Sequence, residues 1–317
     1  MRIAVVHDLN PTKDEEQMII SVLNALKLKY DAVAIPFDEN FIKNIRNVDF
    51  VFNLSTHGGK ETRQIHVPAI LDYLGIPYTG PSAYTHSVCM NKGTTKIILQ
   101  RYSIPTPEFM IFDIGEFPEK IDVGKKYIVK PIREGSAKGL TEKSVVDNIE
   151  DMTKAIKKVH SEFEQAALVE EFIDGMELSV GLVGNFNPVS DLEVLPILEI
   201  DFSTLPEGLE RFYSYRVKHL YGEQTNYVCP ARINQEIEEK IKEYAMKIFK
   251  ILNLRDYARM DLRVKNDEIY FLEVNSMPML IPVYSDILKM ANAKGFSYDE
   301  FIIKIFETAC KRISKKG

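Results

Sequence analysis

The chain of 317 residues carries 45% hydrophobic and 27% charged side chains, a balance that suits a globular protein and excludes disordered, fibrous and membrane-embedded classes. Its formal net charge of -6 gives no general attraction for nucleic acid or anionic lipid. The three cysteines, Cys89, Cys229 and Cys310, follow neither a disulfide framework nor a metal-ligand spacing, which favours a reducing cytoplasm.

At this length one hydrophobic core is rarely enough, so two or three lobes with clefts between them are expected. The opening apolar run, Ile3 to Val6, is too short for a signal core, and no segment reaches membrane-spanning length. Ile3 to His7 reads as a buried strand, 15–29 as a helix on Met18, Ile19, Val22, Leu23 and Leu26, and Asp31 to Phe37 and Phe50 to Leu54 as two further strands. This α/β lobe ends near Gly80-Pro81-Ser82, where turn residues cluster. A helix over 90–102 follows, then the prolines 105 and 107, which enforce extended backbone before a strand from Glu108 to Phe112.

The middle lobe continues with a strand from Tyr127 to Lys130 and a helix over 150–163 with Met152, Ile156, Val159 and Phe163 on one face. A strand pair, Ala167 to Ile173 and Glu177 to Val183, is expected around Asp174-Gly175-Met176, making this lobe α+β. The third lobe has a long helix over 233–254, a hairpin joining Ala258–Val264 to Ile269–Val274 through Lys265-Asn266-Asp267, and a closing amphipathic helix over 298–313. The lobes are placed at 1–88, 89–184 and 185–317.

The hairpin carries the strongest chemical signal. Asp261 on one strand and Glu273 and Asn275 on the other stand at alternating positions, so all three can face one side. Two carboxylates and a carboxamide are hard oxygen ligands suited to Mg²⁺, whereas a solvated sheet face is the plainer account. Strands are depleted in Asp and Asn, and polar groups among apolar strands need compensation that a cation supplies. Lys130 closes a strand and leads into Arg133-Glu134-Gly135-Ser136-Ala137-Lys138-Gly139, a small-residue loop whose N–H groups can approach phosphate. Alone that loop is an ordinary turn. It gains weight from Glu170, Glu171, Phe172 and Ile173, and from Glu177 beyond them, which can hold an adenine edge and a ribose. The first strand-helix unit lacks the glycines of a dinucleotide site, which sets a dehydrogenase aside.

Tyr73 to Gly80, Met90-Asn91-Lys92, Val129-Lys130-Pro131, Arg133 to Ser136, Glu170 to Ile173, Cys229-Pro230-Ala231 and Leu272 to Asn275, in this order and spacing, resemble the D-alanine–D-alanine ligase family over nearly the whole chain. The resemblance implies an ATP-grasp fold with an N-terminal Rossmann-like lobe and an ATP-dependent carboxylate-amine ligase of peptidoglycan biosynthesis. It is expected in the cytoplasm, as a homodimer joined through the first lobe, with small-molecule partners and neither nucleic acid nor membrane. By the same resemblance Lys92, Lys130 and Lys218 contact ATP phosphates, Glu170 to Ile173 hold adenine and Glu177 binds the ribose. Asp261, Glu273 and Asn275 ligate two Mg²⁺ ions, with Mn²⁺ an alternative, and Arg259 stabilises the oxyanion. Taken singly, each lysine reads equally as a surface charge.

Ser136 joins the catalytic candidates, as does His57, which either contacts the first substrate or is a loop residue beside Gly58-Gly59. Glu16, or Glu15 with the register shifted by one, is the candidate for the first amino group, and an acidic first helical turn explains the pair as well. Two departures from the family concern the substrates. His57-Gly58-Gly59 is not followed by Glu-Asp-Gly, and the glycine- and serine-containing stretch after Asn275 reads Ser276-Met277-Pro278-Met279-Leu280-Ile281-Pro282-Val283-Tyr284-Ser285. A ligase with another acceptor (amino acid, hydroxy acid or peptide) and a regulatory nucleotide binder without turnover are the competing readings.

Overall fold

The computed structural model describes residues 1–56, 63–186 and 191–314. The first lobe runs β1 (Arg2–Asp8), α1 (Lys13–Lys27), β2 (Asp31–Phe37), α2 (Phe41–Ile45), β3 (Phe50–Asn53) and α3 (His66–Leu74), with a parallel sheet in the order β2-β1-β3. β1 needs an unbroken apolar run because it is covered on both faces. Ile3 and Val5 pack with Met18, Val22 and Leu26 of α1, whereas Ala4 and Val6 pack with Phe41, Val67 and Leu71. α1 begins at a capping box between Thr12 and Glu15, and α3 stops at Gly75, whose φ of 67° is the left-handed turn glycine takes without strain.

The second lobe follows α4 (Ala83–Met90) and α5 (Lys92–Arg101) with β4 (Phe109–Phe112), β5 (Tyr127–Pro131), the short β6 (Val145–Val146), α6 (Ile149–Phe163) and β7 (Ala167–Glu171). Its sheet runs β4-β7-β5-β6 and is covered on one face by Met152, Ile156 and Val159 of α6. The third lobe comprises β8 (Met176–Gly184), β9 (Glu193–Val194), β10 (Leu198–Asp201), α7 (Tyr215–Leu220), β11 (Asn226–Val228), α8 (Gln235–Ile251), β12 (Asp256–Lys265), β13 (Glu268–Asn275), α9 (Asp286–Lys294) and α10 (Tyr298–Ser314). Its sheet runs β11-β10-β8-β12-β13, with β9 on β8.

The strand pair expected around Asp174-Gly175-Met176 does not form. β7 pairs with β4 and β5, and β8 pairs with β10 and β12 in the other sheet. The cause is burial on both sides of β8: Leu178, Val180 and Leu182 enter the core under α8, while Val183 enters the core shared with α10. Gly175 lets the link pass tightly over β12, since a Cβ there would stand 2.3 Å from the Val264 carbonyl oxygen. β7 and β8 therefore belong to different sheets, linked through 172–175.

The lobes share cores at two further places. Cys89, Leu99 and Ile104 pack with Leu262, Phe271 and Val274, which ties α5 to the β12–β13 ribbon. The closing helix α10 returns to the first lobe, where Phe306 meets Tyr30 and Phe50 edge-on. Fully buried Asp256 fastens that return by accepting from Gly80 N at 2.7 Å and Asn185 Nδ2 at 2.9 Å and from the Arg312 guanidinium. Among the described residues no helix is long and apolar enough to cross a membrane.

Candidate active site

The β12–β13 register sets Asp261 opposite Glu273 and Arg259 opposite Asn275. Asn275 Nδ2 donates to Asp261 Oδ2 at 2.9 Å and to Glu273 Oε1 at 3.5 Å, so the three oxygen-bearing side chains do share one side. Arg259 grips Asp261 through Nε and Nη2 at 2.9 and 2.7 Å, and Ser179, its register partner on β8, donates to the same carboxylate. Burial pushes the Asp261 carboxyl up against the pull of Arg259, and the Glu273 charge pushes the same way. Burial also works to raise Glu273, but Lys92, Lys130, Arg259 and Lys218 outweigh it and hold that group down at about 2. Two half-buried carboxylates that repel each other, with an amide beside them, are a donor set that a hard divalent cation fits. The described residues hold no cluster of three Asp, Glu, His or Cys, so an ion here would complete its shell with the amide and with phosphate or water oxygens, as Mg²⁺ commonly does.

Three lysines reach the ribbon from different elements. Lys92, at the start of α5, lies 3.4 Å from Glu273 Oε2 and donates to the Glu134 carbonyl. Lys130, near the end of β5, pairs with Glu170. Lys218, on α7, stands 4.9 Å from the Tyr213 ring centre, and burial, then the Arg259 charge, lowers its pKa. With Arg259, Asp261, Glu273, Glu177, Leu140 and Leu272 these lysines line one hollow. Above it the loop at 135–140 meets α7: the Ser136 carbonyl lies 3.4 Å from His219 Nε2, and the Tyr215 N–H donates to the Leu140 carbonyl at 3.2 Å. Ser136 and Ala137 take φ of 53° and 57°, a left-handed kink that turns their backbone toward the hollow's rim.

Residues 98–307 match the family model described as D-ala D-ala ligase C-terminus. The D-alanine–D-alanine ligase of Carboxydothermus hydrogenoformans is 35% identical over 88% of this chain and 88% of that one, and that of Thermotoga petrophila is 33% identical over 89% and 88%. The chain belongs to the D-alanine–D-alanine ligase family. It is an ATP-dependent amino-acid ligase with the ATP-grasp fold. The D-alanine–D-alanine ligase of Bacillus anthracis, solved in complex with ATP, superposes over 100% of both chains with a TM-score of 0.78 at 25% identity.

Within this ligase the other expected residues divide. Glu177 lines the same hollow as the three lysines and is held by Arg263 at 2.6 Å. Glu170 is buried between Lys130 and Lys96, whose ammonium lies 2.9 Å from its Oε2, and both cations outweigh burial and keep its pKa low. Glu171 points away to Lys125 at 3.3 Å, because neighbouring strand residues face opposite sides. Phe172 lies edge-on to Phe212, and the Ile173 carbonyl accepts from Arg263. Glu16 is exposed and outside the cleft lining, where Asp14 and Glu15 stand instead. Glu15 accepts from the Thr12 N–H of the helix cap at 2.7 Å. His57 lies outside the described residues.

Several functional neighbours escaped the sequence reading. Lys96 stands one helical turn after Lys92, a spacing that was visible, but its charge reads as surface until β7 is placed beside it. Ser179 needs the β8–β12 pairing before it has any meaning. Arg63, in the stretch that replaces Glu-Asp-Gly, crosses the cleft to hold Glu134 at 2.9 and 3.0 Å. Asp286 lies 3.7 Å from Arg259 Nη1 and lines the larger part of the cleft, about 400 Å³, together with Asp14, Tyr215, Met279 and Tyr284.

Proposed function

We propose that this ligase phosphorylates the carboxylate of one amino acid, D-alanine on the pattern of its relatives, and passes the acyl group to an amine bound beside Arg259. Attack of the carboxylate on the γ-phosphate gives an acyl phosphate and ADP, and amine attack then expels inorganic phosphate. Lys92, Lys130 and Lys218 neutralise the phosphates, and Asp261, Glu273 and Asn275 hold two Mg²⁺ ions. When bound, Mg²⁺ supplies charge neutralisation between the terminal phosphates. Arg259, already fixed by Asp261, meets the negative oxygen that develops on the acyl carbon. The base lies along Glu170–Ile173 and the ribose on Glu177, and Ser136 with α7 covers the phosphates from water.

The observation that carries this reading is the meeting of Asp261 and Glu273 with Arg259, Lys92, Lys130 and Lys218, drawn from β12, α5, β5 and α7, in one hollow, with Asn275 hydrogen-bonded to Asp261 at its edge. Three free cysteines suit a reducing cytoplasm, and exposed Tyr73 and Tyr84 beside the first lobe suit a homodimer contact. The test is phosphate release from ATP and Mg²⁺ with a panel of D- and L-amino acids, with hydroxylamine present to trap acyl phosphate. A hydroxamate formed from one amino acid supports the proposal. ATP binding with neither hydroxamate nor phosphate across the panel would show a nucleotide-binding protein without turnover.

A further inference from the structure

The stretch that follows the ribbon turns its polar groups inward. Ser276 Oγ is held 2.8 Å from His86 Nδ1 inside the core, and Ser285 Oγ accepts from the Ile281 N–H at 2.9 Å. Proline at 278 and 282 removes two further donors. The first turn of α9 could seat a carboxylate on its free N–H groups and dipole. It opens instead with Asp286, which is 3% exposed and faces the cleft beside Arg259.

Two cations lie against Asp286, and the charge of Lys218 on α7 also bears on it. Lys289 lies 3.2 Å from Asp286 Oδ1, donates to the Tyr284 carbonyl and sits 4.1 Å from the Tyr227 ring centre. Arg259 spends Nε and Nη2 on Asp261. The Tyr284 hydroxyl of the same wall is buried and has no hydrogen-bond partner among the described residues.

We infer that Asp286 fills, with its own carboxylate, the place beside Arg259 that a carboxylate of the second substrate would take. The acceptor is then an amine whose other polar group donates hydrogen bonds, an amide or an ammonium. This rests on the ligase reading above, because the acyl carbon must lie against Arg259 and the substituents of the attacking amine therefore fall beside Asp286. In the transfer step the amine nitrogen bonds to the acyl carbon and the bond from that carbon to the phosphate oxygen breaks. Phosphate leaves and the nitrogen loses one proton. A carboxylate on the acceptor would meet Asp286 as a like charge, whereas a carboxamide of the same size donates to it.

The test offers the enzyme, with ATP, Mg²⁺ and the donor identified by hydroxamate trapping, an equimolar mixture of D-alanine and D-alaninamide, and compares the two products by mass spectrometry. The expected result is an amide product in excess by about tenfold or more, the scale of a like-charge penalty. Asp286→Asn should shift that ratio toward the acid product by about tenfold, and Asp286→Ser serves if the first variant does not fold. Preference of the wild type for D-alanine, or a ratio unmoved in the folded variant, overturns the inference. A failed ligase reading is distinguishable, because hydroxamate would then be absent before any acceptor is offered.

Discussion

Around the β12–β13 ribbon each charge meets an opposite charge from another element or strand position: Glu273 faces Lys92 of α5, Glu170 of β7 lies between Lys96 and Lys130, and Glu177 of β8 holds Arg263 of β12. The stretch 276–286 is built otherwise, with its serines folded back on His86 and Ile281 and a single carboxylate, Asp286, held by Lys289 and Arg259 at the cleft wall. The ribbon's surroundings form a network in which each member fixes the next, so they tolerate little change. The 276–286 stretch forms a wall in which a single side chain resets the charge presented. On the proposed mechanism, activation of the first substrate falls to the network around the ribbon, and recognition of the second falls to the wall that carries Asp286.

Substitutions should affect the two halves unequally. Glu273→Gln is expected to cost roughly a thousandfold or more in Mg²⁺-dependent turnover with an unchanged circular dichroism spectrum, and a near-normal rate would remove the ribbon from the mechanism. Arg259→Met should lower kcat by roughly a hundredfold or more through loss of oxyanion stabilisation, measured as phosphate release at saturating substrates. Lys96→Met leaves Glu170 with one cation in a dry site, so unfolding in urea should show a loss of about 3 kcal/mol or more, and KM for ATP should rise. Unchanged stability would mean the buried triad contributes little.

The smallest effect is expected at Arg63, which straps the first lobe to Glu134 across the cleft. Burial works to raise the Glu134 carboxyl, but the Arg63 hydrogen bond and charge outweigh it, so its folded pKa lies below the ordinary 4.5. A depressed carboxyl pKa contributes stability that is present above the unfolded value and is lost as pH falls through the folded one. Arg63→Ala should therefore cost about 1 kcal/mol or less at neutral pH for this partly exposed pair, and the gap to the wild type should close on acidification. A gap independent of pH would contradict the pairing.

Much of the fold was legible because its long elements keep a clean period: β1, α6, α8, α10 and the 256–275 ribbon fall within a few residues of expectation. The short strands over 193–201 and 226–228 and the helix over 286–294 have no such period, and only the partner strands and cores around them define them. The apparent 167–183 hairpin misled because sequence distance implies pairing, whereas burial on both faces of β8 decided it. The same split holds for the site. Asp261, Glu273 and Asn275 announce themselves by alternation on adjacent strands, but Lys96, Ser179 and Asp286 acquire roles only from neighbours far away in sequence.

The central claim is that the ribbon's oxygens hold the divalent cation of the reaction. Crystals grown with ADP and Mn²⁺ and measured at the manganese edge test it most directly. Anomalous peaks are expected at about 2.0 to 2.3 Å from the side-chain oxygens of Asp261, Glu273 and Asn275, on the side facing Lys92 and Lys130. Anomalous density elsewhere in the cleft, with these three oxygens uncoordinated, would contradict it.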